Sequence, residues 1–305
     1  MRFGISVYES GGDQALGKLA DQLRRGADDG FASAWMANIF GLDALTALAV
    51  AGSHVPGIEL GTAVVPTYPR HPAVLAQQAL TTALAVGPGR LMLGIGLSHK
   101  LVIEDMYGYS FDKPARHMRE YLSVLLPLLD GTAASVDGST LSAHIDLSTP
   151  RAGRVPVLLA ALAPRMLTLA GEQSDGTVLW MTGPATVRDY VLPAISAAAS
   201  AAGRPSPRVV CNLPVCVTSD PDAARARAAE DFAIYGQLPS YRAMLDREGA
   251  AGPADVALIG DEDTVAAQIQ ALAGAGVTDF VATEFARGED RPRTRSLLKA
   301  VIAAS

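Results

Sequence analysis

An alternation of two hydrophobic periods, repeated along the whole chain, limits the fold more than any other feature. Short apolar runs bounded by glycine or proline occur at residues 3–7, 33–36, 59–65, 91–95, 156–160, 176–181, 209–217 and 278–283. Segments with apolar residues at helical spacing lie between them, at 14–29, 43–53, 72–86, 115–129, 164–173, 185–202, 221–248 and 264–275, with a terminal one at 294–304. Side chains repeat every two residues along a strand and every 3.6 along a helix, so the first set reads as strands and the second as helices. Start signals agree, with Gly11-Gly12-Asp13 before the first helix, an N-cap-type Asp43 and a Pro72 at a first helical position. Strands apolar on both faces suit a parallel sheet covered by helices.

Eight such strand–helix units without an obvious linker predict an α/β chain, a single (β/α)8 TIM-barrel domain over residues 1–305. The open doubly wound sheet usually has six strands and a G-x-G-x-x-G turn after the first. Here that stretch is YESGGDQALG, which lacks the fingerprint. Two departures from regularity stand out, and insertions are expected after strands 4 and 7. Residues 96–114 form a long connection after strand four, and 136–147 read as a hairpin turning at Asp137-Gly138 before strand five. Residues 287–295 mix both charge signs and read as a solvated loop.

Composition narrows the class. With 18% charged and 49% hydrophobic residues, much of the chain must be buried, which excludes disorder. No run of about 18 uninterrupted apolar residues is present to cross a membrane. The opening MRFGISV has no apolar stretch of signal-peptide length and reads directly as a strand. A net charge of −6 argues against nucleic-acid and anionic-membrane partners, since both need a basic surface. Cys211 and Cys216 support neither a disulfide framework nor a zinc site, so a reducing cytoplasm is the expected setting.

In a barrel the active site lies at the carboxyl ends of the strands. Ala160, Ala161, Leu162 and Ala163 form a small-residue turn into a helix whose first residue is Pro164, and free N–H groups there suit a phosphate. The same small residues would also make strand-to-helix packing close, and the segment alone leaves both readings open. Gly94 and Gly96 would let a planar ligand lie against strand four, or mark a bend. His99, between Ser98 and Lys100, is the best-placed general acid or base, with a surface-loop histidine as the alternative. His71 reads as an N-cap-region residue, His54 and His144 as surface residues, and His117, beside Arg116 and Arg119, as making ordinary polar contacts. No HExxH, converging carboxylate pair or Gly-x-Ser-x-Gly elbow supplies a metal or nucleophile, and the adjacent Glu104 and Asp105 point apart on a helix. Demanding chemistry would therefore need an organic cofactor.

Four stretches taken in order are specific: GTAVVPTYPRHPAVLAQQA from Gly61, GRLMLGIG from Gly89, PVLLAALAPRM from Pro156 and SDGTVLW from Ser174. Together they resemble the bacterial-luciferase-like superfamily, and within it the branch that uses the deazaflavin coenzyme F420. The resemblance implies a (β/α)8 barrel whose mouth carries the deazaflavin ring, with the phosphate tail near strands four and five. By position, a non-prolyl cis peptide at Ala63–Val64, with Val65 beside it, would back the ring. The phosphate-binding backbone would be Ala160, Ala161, Leu162 and Ala163. Where F420-dependent dehydrogenases often carry Asp followed by a catalytic His, this chain has Asn38 and Ile39, and a carboxylate common after strand four corresponds to His99.

The usual acid–base pair is thus missing, which implies reduction of an activated C=C or C=N bond in a small organic substrate rather than alcohol oxidation. With those positions changed, His99 is the expected proton-transfer residue and Asn38 the expected hydrogen-bond partner of the ring's polar edge. Gly96, Ser98, Lys100 and Arg165 complete the cofactor contacts, the two cations facing the acidic tail. Glu9, Tyr68, Trp35, Phe40 and Trp180 fill out the mouth. The alternatives are an FMN-dependent monooxygenase of the same superfamily and a non-catalytic flavin or deazaflavin carrier. A homodimer formed through barrel helices is the expected assembly.

Overall fold

The computed structural model describes residues 1–9 and 11–305. In chain order its strands are β1 (Arg2–Val7), β2 (Ser33–Met36), β3 (Glu59–Thr62), β4 (Val65–Pro66), β5 (Leu91–Gly96), β6 (Ala134–Asp137), β7 (Ser142–Ile145), β8 (Val157–Leu159), β9 (Gly176–Trp180), β10 (Arg208–Val217), β11 (Leu258–Gly260) and β12 (Asp279–Glu284). The helices are α1 (Ala15–Asp28), α2 (Ala44–Gly52), α3 (Pro72–Val86), α4 (Pro114–Leu129), α5 (Pro164–Gln173), α6 (Pro184–Thr186), α7 (Leu192–Ala201), α8 (Pro221–Asp231), α9 (Ala233–Gln237), α10 (Pro239–Glu248), α11 (Glu262–Gly274) and α12 (Asp290–Ala303). Strands β1, β2, β3, β5, β8, β9, β10 and β12 pair in parallel in that order, and β12 returns to β1. This is the closed eight-stranded barrel that the alternating pattern predicts.

Several helices start where the sequence signals them. Asp43 takes the Thr46 N–H at 2.9 Å, and His71 Nδ1 takes that of Ala73 at 3.3 Å just before Pro72. Asp220 and Asp261 cap α8 and α11 in the same way.

The barrel interior is layered. At the amino-terminal ends of the strands, Arg208 makes two hydrogen bonds to Asp279, Nη2 to Oδ1 at 2.5 Å and Nε to Oδ2 at 3.2 Å, while Arg2 reaches Glu59 at 2.8 Å. Above this charged floor, Trp35, Met92, Leu158, Val178, Val210 and Val281 form a buried cluster. The Trp35 indole fits because Gly4 and Gly61 face it. A Cβ on Gly61 would lie 2.2 Å from the ring, and one on Gly4 would lie 3.1 Å from Nε1. Nε1 donates instead to Ser33 Oγ at 2.9 Å. The top layer is polar: Ser6, Asn212 and Thr283 join in a hydrogen-bonded triad, with Thr283 Oγ1 donating to Asn212 Oδ1 at 2.6 Å.

Four sequence expectations need correction. Trp35 is not at the mouth but 1% exposed inside the barrel, because its strand alternates inward at Ser33 and Trp35. The long helix expected at 221–248 is three helices, broken around Phe232 and again at Leu238, which precedes Pro239. Residues 258–260, outside the eight expected strands, form the extra parallel strand β11, which pairs with the end of β10 where β10 runs past the barrel. The segment expected as a solvated loop at 287–295 is helical from Asp290, where Arg293 pairs with Glu262 at 2.5 Å and Arg295 with Asp29 at 3.2 Å. The insertions after strands 4 and 7 are present. The hairpin before β8 is too, with a wider turn at 138–141 whose N–H groups of Ser139, Thr140 and Leu141 all bond the Glu120 carboxylate.

Candidate functional site

The mouth has a flat wall on one side. Strand three is interrupted at Ala63–Val64, a cis peptide, and resumes as β4 against β5. The Val64 side chain lies over β5, where two glycines make room for it. A Cβ on Gly94 would lie 1.9 Å from the Thr62 carbonyl oxygen, and one on Gly96 would lie 2.7 Å from Val64 Cγ2 and 3.0 Å from Ala160 Cβ. The glycines therefore keep this wall flush. Ala63 and Val64 pack against the Trp35 cluster below, so the wall rests on a rigid interior.

Beside that wall stands the amino terminus of α5. Its N-cap, Ala163, offers no side-chain acceptor, and Pro164 occupies the first helical position. The N–H groups of Leu162, Ala163 and Arg165 meet no acceptor among the described residues. Four donors at the start of a helix normally need partners, and the helix dipole adds positive potential there. The neighbouring helix after β9 differs. Glu248, at the end of α10, closes its amino terminus by accepting from the N–H groups of Ala185 at 3.1 Å and Thr186 at 2.7 Å.

His99 stands just beyond the wall strand β5, after the left-handed residue Ser98 with φ 61°. A second left-handed residue, Met181 with φ 51°, follows β9 at the same rim. Non-glycine residues rarely adopt this conformation, and where they do they cluster at functional sites. Burial pushes the His99 imidazole below its ordinary pKa of 6.5, so the ring is neutral at neutral pH. It packs against Tyr241 at 5.6 Å between ring centroids. Tyr241 in turn meets Tyr235 at 5.2 Å, Tyr235 meets Trp180 at 5.6 Å, and Trp180 meets Phe232 at 5.9 Å. This aromatic collar comes from β9 and from the insertion after strand seven. Among the described residues, the indole Nε1 of Trp180 is buried without a hydrogen-bond acceptor.

The remaining candidates divide. Asn38 lies at the rim, but its Oδ1 accepts from Ala44 N–H at 2.9 Å, which leaves only the amide NH2 to face a ligand. Glu9 is engaged by the Leu42 N–H. Lys100 is 71% exposed and 3.5 Å from Glu104, while Arg165 is exposed on the first turn of α5. Val65 is buried behind the wall, and Phe40 is exposed on the rim. His117 does more than make surface polar contacts. It stacks on Tyr68 at 3.9 Å with 7° between ring planes, and its Nε2 is 3.1 Å from Thr67 Oγ1. Burial pushes its pKa down to about 4. Sequence reasoning missed Glu248, Tyr190, Tyr235 and Tyr241. The usable signal was the concentration of Phe232, Tyr235 and Tyr241 within one short segment of a chain with 6% aromatic residues.

A family model described as luciferase-like monooxygenase matches residues 1–279. The 5,10-methylenetetrahydromethanopterin reductase of Methanolobus tindarius is 29% identical over 287 residues, covering 93% of this chain and 86% of that protein. The reductase of the same name from Archaeoglobus fulgidus is 28% identical over 256 residues, covering 82% and 74%. The solved structure of the coenzyme F420-dependent tetrahydromethanopterin reductase from Methanopyrus kandleri has the same fold. It superposes with a TM-score of 0.82 at 23% identity, over 99% of this chain and 98% of that one.

Proposed function

Because the chain belongs to the luciferase-like monooxygenase family, we propose that it is a coenzyme F420-dependent oxidoreductase. In this reading it passes a hydride between the deazaflavin and a small organic substrate, in the direction that reduces an activated C=C or C=N bond. The observation that carries the reading is a flush wall at Val64, Gly94 and Gly96 standing beside an uncapped helix terminus at Leu162, Ala163 and Arg165. A planar ring with an anionic tail fits that pair of features. The reductases among the relatives support a deazaflavin reductase over a flavin oxygenase.

The bound deazaflavin would supply a two-electron hydride carrier. Val64, with Ala63 and Val65, would back the ring, Asn38 Nδ2 would donate to its polar edge, and the α5 terminus would take the phosphate. Lys100 and Arg165 would face the cofactor's acidic tail. The aromatic collar of Trp180, Tyr235 and Tyr241 narrows access of water to the mouth. His99 moves the proton. Its pKa is lowered below 6.5 by burial, so delivery by the imidazolium falls as pH rises through a value below 6.5, and uptake by the neutral ring rises over the same range. Replacing His99 by Ala is expected to slow reduction about 100-fold and erase that pH limb. An unchanged rate in a stopped-flow assay removes the role.

The deciding experiment is a titration of the purified protein with F420 and with FMN, followed by absorbance. Binding of F420 without FMN is expected. Tight FMN binding with no F420 affinity overturns the proposal in favour of a monooxygenase, and F420 binding without turnover of any C=C or C=N substrate reduces it to a carrier. A homodimer is part of the same proposal, with Val50 of α2 and Val74 and Leu84 of α3 as exposed apolar candidates for its interface. Light scattering that returns a monomer mass removes that part.

A further inference from the structure

We propose that Tyr190, braced by Arg247, is a positioning residue for the anion seat at α5. The proposal rests on the reading that this seat takes the cofactor phosphate. Tyr190 lies on a π-helical turn, Val187–Val191, in the helix that follows β9. Its hydroxyl donates to the Leu162 carbonyl oxygen at 3.0 Å. Burial raises the phenol pKa, so the hydroxyl keeps its proton and remains a donor.

The consequence lies on the other side of one peptide plane. The Leu162 C=O and the Ala163 N–H belong to the same planar unit, and in a trans peptide they point in opposite directions. The cis bond of the described residues is at Ala63–Val64, so the 162–163 unit is trans. Holding the carbonyl toward Tyr190 therefore turns the Ala163 N–H away from it, toward the uncapped start of α5. With the hydroxyl gone, this plane could rotate and present a carbonyl lone pair where an anion must sit. Among the described residues no side chain caps α5, so the plane has no second restraint of that kind.

Tyr190 is itself held from the insertion after strand seven. The guanidinium carbon of Arg247 lies 3.9 Å from the centroid of its ring, a cation–π contact that also brings positive charge to this side of the seat. The next residue, Glu248, closes the amino terminus of the Tyr190 helix, and Thr186 Oγ1 of that helix donates to the Met244 carbonyl at 3.2 Å. Helix α10 thus clasps the Tyr190 helix at both a charged and a neutral contact. One helix terminus is shut by a carboxylate so that the other can be held open.

The test compares two ligands, F420 and its phosphate-free deazariboflavin core, by fluorescence titration of the wild-type protein and of Tyr190→Phe. The wild type is expected to bind F420 more tightly than the core. Tyr190→Phe keeps the ring and its arginine contact, and is expected to weaken F420 about 2- to 10-fold while leaving the core unchanged. A merely structural role would weaken both ligands alike. Equal weakening, or none, overturns the proposal. If the wild type shows no preference for the phosphate-bearing ligand, the phosphate seat itself falls, which is a separate result. Should Tyr190→Phe fail to fold, Arg247→Met carries the same test, with a smaller loss for F420 expected and an unchanged ligand ratio overturning the proposal.

Discussion

At the amino-terminal end of the barrel, Arg2, Glu59, Arg208 and Asp279 neutralise one another, and Asp279 has its oxygens bonded to Arg208 and Thr278. At the carboxyl end, groups of similar polarity have no partner among the described residues: the first N–H groups of α5, the amide NH2 of Asn38, the indole N–H of Trp180 and the imidazole of His99. Both ends are built on strand termini of the same eight strands. A buried charge costs several kcal/mol unless paired, so the closed end spends its polar groups on one another. The open end leaves donors whose partner has to come from outside the chain. Pairing marks the end that holds the fold, and unpaired donors mark the end that binds.

Breaking the closed end should produce the largest effect. Asp279 is 1% exposed, and Asp279→Ala would strand Arg208 with only the more distant Glu59 at 3.6 Å. A loss of about 3 kcal/mol in unfolding free energy is expected from urea melts, with ligand affinity of the surviving folded protein unchanged. Equal stability would show that the ion pair contributes nothing beyond its own desolvation.

Closing the open end tests the other half. Ala163→Asp would place a carboxylate at the α5 N-cap, as Asp43 and Asp261 stand on their helices. Stability is expected to rise by about 1 kcal/mol while F420 affinity falls about 100-fold, so that thermal melting and titration move in opposite directions. Undiminished F420 binding would mean that the terminus is not the anion seat.

A smaller effect separates stability from turnover. His117, stacked behind the wall on Tyr68, has a folded pKa of about 4 against 6.5 for the free side chain. Between those values the unfolded chain binds a proton that the folded one refuses, so stability falls as pH drops from 6.5 toward 4. The loss should be about 2 kcal/mol after allowing for solvent screening, and His117→Phe should flatten it in melts across that range. His99 packs against Tyr241 and not against the Tyr68–His117 stack, so the substitution should leave the pH limb of the rate in place.

Much of this was readable from residues alone. The two periods established the strand–helix alternation, and caps such as Asp43 and His71 set helix starts almost to the residue. The unusual peptide at Ala63–Val64 was locatable because one motif covers it, and the small residues at 160–163 marked the α5 turn. Trp35 was misplaced because a strand apolar on both faces carries no sign of which face points inward. The aromatic collar escaped for another reason. Phe232, Tyr235 and Tyr241 are remote in sequence from Trp180 and His99, and only the break-up of the 221–248 segment into three helices swings them onto the mouth.

The sequence by itself determined the barrel, because burying eight two-faced apolar strands under helices has few solutions and the turn chemistry agreed with one of them. It also determined which backbone segments lie at the mouth, since these follow from strand order. Only the tertiary structure decided which helix terminus there stays open. Glu248 is far along the chain from the terminus it closes, as is Tyr190 from the carbonyl it holds, and hydrogen bonds between such distant residues exist only once the barrel has brought α10 against the helix after β9, and that helix against the turn before α5.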